Sequence, residues 1–302
     1  MLTTAKENLE QFIHAEWRRE VPEAVSIAAK KIADKYGDAV CGVLFYGSCL
    51  RTGEIEDKIL DFYVIVETYK AAYASRALAV ANSVLPPNVF YHEINVDGVV
   101  VRSKYAVLSL ADLEYRASSS CLNVSVWARF CQPCMLLNEK DHSARVEIAR
   151  HVASSVTTML GNFLALRPEA RSSNLAWIGA FEQTYASELR SEGSGKGEEI
   201  YRLDQQRYDR LTPLAFTVLE KEQKVDKWPK ANWLLRRWNG KTVSFLRLVK
   251  ASVTFDGGID YLAWKIRRHS GVEIEIVDWM RRYPVIAGIV LFWRLRKRGA
   301  FK

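Results

Sequence analysis

A glycine and a serine, a twelve-residue spacer and one aspartate in an apolar run make residues 43–66, VLFYGSCLRTGEIEDKILDFYVIV, the chain's most chemically suggestive stretch. Gly47-Ser48 closes a first apolar run, residues 49–60 follow, and Asp61 sits inside a second. A Gly-Ser turn at a strand end lets backbone N–H groups and a hydroxyl approach phosphate oxygens, near the positive end of a following helix. A carboxylate on the neighbouring strand can hold Mg²⁺ against the same phosphates. The dipeptide alone is common. An acid among Leu60, Phe62, Val64, Ile65 and Val66 says more, because it needs a partner or a metal to offset its desolvation. The plainer alternative is a strand–turn–strand unit with one solvent-facing acid.

These residues need strands to hold them. Residues 39–46, rich in β-formers and bounded by Gly37 and Gly47, read as one buried strand, and residues 59–66 as another. Upstream, Leu9, Phe12, Ile13 and Trp17, then Ala24, Ile27, Ala28, Ile32 and Ala33, recur at helical spacing. Pro22 starts the second helix at its first turn. Downstream, residues 69–85 read as one helix ended by Pro86-Pro87. Residues 89–96 and 99–109 flank Asp97-Gly98, a two-residue hairpin turn. Beyond residue 140, stretches 145–166, 177–190 and 201–222 are helical in pattern, with a small polar loop at 191–199. The order predicts an α/β (α+β) fold: a mixed sheet with helices, then a mainly helical region with room for a winged-helix-like module. The expected division is 1–138, 139–227 and a basic C-terminal region, 228–302.

Composition narrows the function. Lys and Arg number 43 against 35 Asp and Glu, a net charge of +8, so an anionic partner is expected: nucleic acid, nucleotide or an acidic membrane surface. With 49% hydrophobic and 26% charged residues the chain is not disordered as a whole. No uncharged apolar stretch approaches the roughly 20 residues that span a bilayer. The N-terminal residues lack the apolar core of a secretory signal, and their glutamates suit a transit peptide poorly. Five cysteines among apolar neighbours suggest buried thiols in a reducing compartment. Cys131 and Cys134 form a CxxC without a second pair, which favours core packing over redox or metal use.

The pieces resemble the nucleotidyltransferase superfamily of polymerase-β-like fold, whose signature is hydrophobic–Gly–Gly/Ser, a spacer, then acid–hydrophobic–acid. Within it the chain is more similar to the mitochondrial-type phosphatidate cytidylyltransferases, which make CDP-diacylglycerol. The matching residues are Tyr46-Gly47-Ser48, Leu60-Asp61-Phe62, the KYAVLS run at 104–109, and Ala128-Arg129 followed by Pro133, in one order over residues 43–137. Tyr63 stands where the general signature has a second acid.

That resemblance implies transfer of CMP from CTP to phosphatidic acid, with release of pyrophosphate. Mg²⁺ would be held by Asp61, with Asp57 or Glu93 as candidates to complete the shell. Tyr46, Gly47 and Ser48 would cradle the nucleotide phosphates. Lys104 and Arg129 would be cation partners, with Arg51 and Lys58 weaker candidates. Asp61, Ser48 and Lys104 are the expected catalytic residues. Each acid could equally be a surface carboxylate, and each cation a surface ion-pair partner.

The C-terminal residues 278–302 carry seven basic residues against one acid, Asp278, around the apolar run 285–293. Trp279, Arg281, Arg282, Phe292, Trp293, Arg294, Arg296, Lys297 and Arg298 are the expected contacts with an anionic membrane surface. A terminal helix docked on the protein's own core is the alternative. Residues 245–268, with Arg247, Lys250, Lys265, Arg267 and Arg268, would extend that surface or embrace an acidic lipid head. A cytoplasmic protein, peripheral to the inner face of the membrane, is expected. Basic residues beside an apolar run do not suit a nucleic-acid surface, so no nucleic acid is expected. The competing readings are a nucleotidyltransferase acting on RNA or a soluble acceptor, and a non-catalytic nucleotide- or lipid-binding scaffold.

Overall fold

The computed structural model describes residues 2–188, 195–222, 226–254 and 276–282, without the side chains at 248, 249, 251–254, 281 and 282. Two helices, α1 (Leu2–Glu16) and α2 (Glu23–Ala33), precede β1 (Val40–Tyr46), the short α3 (Ser48–Thr52) and β2 (Ile59–Val66). Helices α4 (Tyr69–Ala72) and α5 (Arg76–Val84) lead into a hairpin of β3 (Asn88–Val96) and β4 (Val99–Ser109). Then come α6 (Leu110–Ala117), α7 (Trp127–Phe130) and β5 (Cys134–Leu137). The five strands form one mixed sheet in the order β3-β4-β2-β1-β5, with β2 and β4 parallel and the other pairs antiparallel. The α/β expectation is met.

Strands β1 and β2 lie inside the sheet and are buried along most of their length, which is why they read as apolar runs, interrupted in β2 by Asp61. Asp97 and Gly98 both take positive φ, +51° and +85°, as the tight turn between β3 and β4 requires. Register then decides which side chains meet. Tyr46 pairs with Asp61, Asp61 with Lys104, Tyr91 with Lys104, and Glu93 with Arg102. Because side chains alternate, these residues and Tyr63 share one face of the sheet. Phe45, Leu60, Phe62 and Val64 fill the other face, toward α2.

The rest is helical: α8 (His142–Leu166), α9 (Ser173–Ala186), α10 (Lys196–Leu203), α11 (Gln205–Glu222), α12 (Pro229–Thr254) and a last turn at Asp278–Arg282. No strand follows Leu137 among the described residues, so the β wing of a winged-helix-like module, for which the sequence left room, is not seen there. One hydrophobic core runs from Leu9 of α1 through the sheet to Tyr208 of α11 and Trp233 of α12. At its centre Arg207 donates to both carboxylate oxygens of Glu16, at 2.6 and 3.0 Å, and to the Cys131 carbonyl at 2.9 Å. No helix among the described residues is long and apolar enough to cross a membrane.

Two helical stretches differ from expectation. Residues 69–85 break after Ala72, because the Tyr73 hydroxyl accepts from Asn82 and Asn88 and Ser75 caps the next helix through the Leu78 N–H. Residues 201–222 break at Asp204, whose backbone leaves helical geometry. Pro22 sits just before its helix rather than in its first turn.

Helix α12 is docked through Trp233, Arg236 and Gly240. Arg236, only 4% exposed, donates to the carbonyls of Cys121 and Leu122 and to Asn162 Oδ1, and lies over Trp127 and Trp233. Gly240 sits so close to the end of α9 that a Cβ there would fall 1.9 Å from the Ser187 carbonyl oxygen. Gly240→Ala is expected to destabilise the fold by about 1–3 kcal/mol. The check is the urea midpoint at unchanged slope, and an unmoved midpoint would contradict this docking.

Candidate functional site

The site grows from the end of β1. Gly47, at φ +92°, ends the strand and caps α3, and Gly53, at φ +73°, ends that helix. The conformation alone favours glycine, and so does the neighbour: a Cβ at Gly47 would stand 2.9 Å from Asp61 Oδ2. The Asp61 carboxylate therefore takes the space that a side chain at position 47 would need, close over the turn across the β1–β2 pair. Ser48, the first residue of α3, is exposed beside them.

Asp61 is half-buried, its side chain 24% exposed, and Lys104 Nζ stands 3.1 Å from its Oδ1. That contact is an ion pair outside hydrogen-bond geometry, so Oδ1, itself buried, accepts no hydrogen bond. Tyr46 and Tyr63 lie beside it with ring centroids 5.5 Å apart, packed against Phe130.

Arg129 of α7 lies over both rings, 5.4 Å from the centre of Tyr46 and 5.7 Å from that of Tyr63. Its Nη1 donates to the Tyr63 hydroxyl at 3.3 Å and to the Ser125 carbonyl at 2.7 Å. Burial opposes its charge. The oxygens of Tyr63 and Tyr46 and the carboxylates of Glu188 and Asp61 outweigh that and hold its pKa above the ordinary arginine range. Tyr63 thus supports the Arg129 guanidinium through both its ring and its hydroxyl.

The fold brings together Tyr46, Gly47, Asp61, Lys104 and Arg129 and leaves two candidates aside. Asp57, its side chain 88% exposed, is 3.8 Å from Arg102, and Glu93 is 3.5 Å from the same guanidinium and accepts from Tyr91. Among the described residues no three of His, Cys, Asp and Glu converge as a protein-built metal site would require. Of the weaker candidates, Lys58 pairs with Glu54, and Arg51 donates to Gln132 Oε1 at 3.0 Å. All five cysteines are buried and free, and burial pushes the Cys134 thiol up to about 12, so the CxxC is core.

Two further cations reach this face from α12. Arg247 Nη1 donates to the Ser125 hydroxyl at 2.9 Å and its Nε to the Pro86 carbonyl at 2.9 Å; Lys250 donates to the carbonyls of Leu85 and Pro87. They face inward with Arg236 on a helix that exposes Leu234, Leu235, Trp238, Phe245 and Leu246, with Trp228 exposed just before it. Of the expected membrane contacts, Trp279 is 41% exposed on the Asp278–Arg282 turn. The side chains of Arg281 and Arg282, and all of Phe292, Trp293, Arg294, Arg296, Lys297 and Arg298, lie outside the described residues.

No family model matches the chain, and no curated protein matches it. Among solved structures it is similar to a nucleotidyltransferase-like protein from Exiguobacterium sibiricum 255-15, at 10% identity over 91% of this chain and 92% of that one, with a TM-score of 0.28.

Proposed function

We propose that this protein is a nucleotidyltransferase that moves CMP from CTP to phosphatidic acid and releases pyrophosphate. The observation that carries the reading is the close approach of the Asp61 carboxylate to the Gly47 turn. There a backbone that admits phosphate oxygens lies against the one acid of an otherwise apolar strand. Lys104 and Arg129 supply positive charge at the same strand ends. The exposed apolar side of α12 and the net charge of +8 support an anionic membrane surface as the place of work.

Asp61 fits one Mg²⁺ that arrives with the triphosphate, since Mg²⁺ commonly takes one or two carboxylates and completes its shell with phosphate and water. The buried Oδ1, ion-paired with Lys104 but accepting no hydrogen bond, is the donor it would use. A second protein-held ion does not fit, because position 63 is Tyr and Asp57 and Glu93 face Arg102. When bound, the ion supplies charge neutralisation on the phosphates. This chain's own residues do the rest. The Gly47 turn and Ser48 hold the triphosphate, while Lys104 and Arg129 offset the charge that grows on the departing pyrophosphate. The acceptor phosphate, already an anion at neutral pH, attacks the α-phosphorus as the bond to pyrophosphate breaks. It needs little help from a general base, so positioning dominates.

The acceptor decides between this reading and its relatives. Pyrophosphate release is expected with CTP and phosphatidic acid in mixed micelles, and not with an RNA oligonucleotide in place of the lipid; the reverse pattern would reject the lipid acceptor. Gly47→Ala is expected to lower turnover by about 100-fold or more, since the added methyl displaces the Asp61 carboxylate. Turnover within threefold of wild type would contradict the proposed arrangement.

A further inference from the structure

Several cations gather on the α12 side of this face. Arg129 and Arg247 converge on one residue, Ser125, one through its carbonyl and the other through its hydroxyl. Lys250 lies one helical turn beyond Arg247, and Arg116 of α6 repels both. Arg116 is matched by Asp112 at 2.9 Å and Asp61 by Lys104 at 3.1 Å. Glu188 is the carboxylate that faces both Arg129 and Arg247. Arg247 Nη2, meanwhile, is buried with no hydrogen-bond partner. A guanidinium nitrogen left without an acceptor, inside a group of like charges, costs stability that an apolar residue would avoid. A polyoxygen anion bound there would give that nitrogen an acceptor and set negative charge among the cations.

We infer that Arg247 and Lys250, together with Arg129, form a second anion subsite that takes a phosphomonoester, separate from the Asp61–Lys104 end that takes the triphosphate. The identity of the anion, the head group of the lipid acceptor, rests on the proposed function; the existence of the subsite does not. Arg129 stands between the halves, touching Tyr63 on one side and Ser125 on the other. The guanidinium of Arg247 offers the planar fork that suits a phosphate, and Lys250 adds a point charge. Burial first, then repulsion by Arg247 and Arg116, pushes the Lys250 ammonium down to about 8. Lys250 also donates to the carbonyls of Leu85 and Pro87. Its proton is therefore held in the acid half of the physiological range and lost above pH 8, and phosphate affinity should fall with it.

Calorimetric titration of the full chain with inorganic phosphate and with dihexanoyl phosphatidic acid tests this. One equivalent should bind at pH 7. Arg247→Gln and Lys250→Gln should each weaken binding about 10-fold or more, while affinity for Mg·CTP stays within twofold. Arg247→Lys, which keeps the charge and loses the fork, should fall between. A lipid bound at least tenfold more tightly than free phosphate assigns the subsite to the head group, and equal affinities assign it to free phosphate; either outcome supports the subsite. Wild-type phosphate binding in both glutamine variants, or nucleotide affinity that falls in step with phosphate, would overturn it. Asp61→Asn separates the two ideas: it should keep phosphate binding even if no nucleotide is ever transferred.

Discussion

Asp61→Asn should cut nucleotidyl transfer by about three orders of magnitude or more and move the melting temperature little. The small stability change follows from exposure. Asp61 and Lys104 are 24% and 37% exposed, and an ion pair of that kind contributes about 0–1 kcal/mol. The large activity change follows from chemistry. The amide keeps the shape and the neighbours but loses the negative charge a phosphate-bound cation needs. Steady-state turnover beside a thermal melt reads both. A variant that retains a tenth of wild-type turnover would remove Asp61 from the site, and one that melts far lower would make it a structural residue.

Arg207→Met is expected to have the largest effect on stability. Arg207 and Glu16 are 3% and 8% exposed, held by two charge-assisted hydrogen bonds, with a third to the Cys131 carbonyl. Removing one partner strands a buried carboxylate and should cost about 3–5 kcal/mol. The double variant Glu16→Met, Arg207→Met removes both charges and should recover much of that loss, because a buried pair replaced by apolar side chains is often close to neutral. The two urea midpoints decide the matter. Equal losses in the single and double variants would show that the pair works through packing rather than charge. The pair joins α1, α11 and the turn before β5, so its loss should disturb β5 and, through Tyr46, the strand end that carries Gly47.

How far this could be read from the sequence depended on the kind of interaction. Strands β1 and β2 announced themselves because a buried central strand is apolar on both faces, and Asp61 stood out against that background for the same reason. The Asp97-Gly98 hairpin was legible because both turn residues tolerate positive φ. Register was not legible. Asp57 and Glu93 are acids near Asp61 in sequence or on the sheet, yet the pairing that sets Glu93 opposite Arg102 gives that guanidinium both carboxylates. The break at Tyr73 was hidden because it arises from a hydroxyl met by two asparagines, one of them fifteen residues away. Arg247 and Lys250 were legible only as positive charge. A long helix that turns Arg236, Arg247 and Lys250 inward while Leu234, Leu235, Trp238, Phe245 and Leu246 face out departs from the usual pattern, and the packing of Trp233, Arg236 and Gly240 reveals which side is docked.

The identity of Tyr63 carries a related lesson. A second acid missing from a two-acid signature reads as a lost metal ligand and suggests a scaffold. In the fold that position supports Arg129, stacked over its ring and bonded to its hydroxyl. Tyr63→Phe should therefore weaken acceptor affinity more than the affinity for Mg·CTP.

The most direct test of the central claim follows the α-phosphate. Wild-type protein, incubated with phosphatidic acid, Mg²⁺ and CTP radiolabelled at its α-phosphate, should place the label in an organic-extractable lipid that co-migrates with CDP-diacylglycerol. Label that stays wholly in the aqueous phase, with a folded protein that binds phosphatidic acid, would contradict the lipid nucleotidyltransferase account.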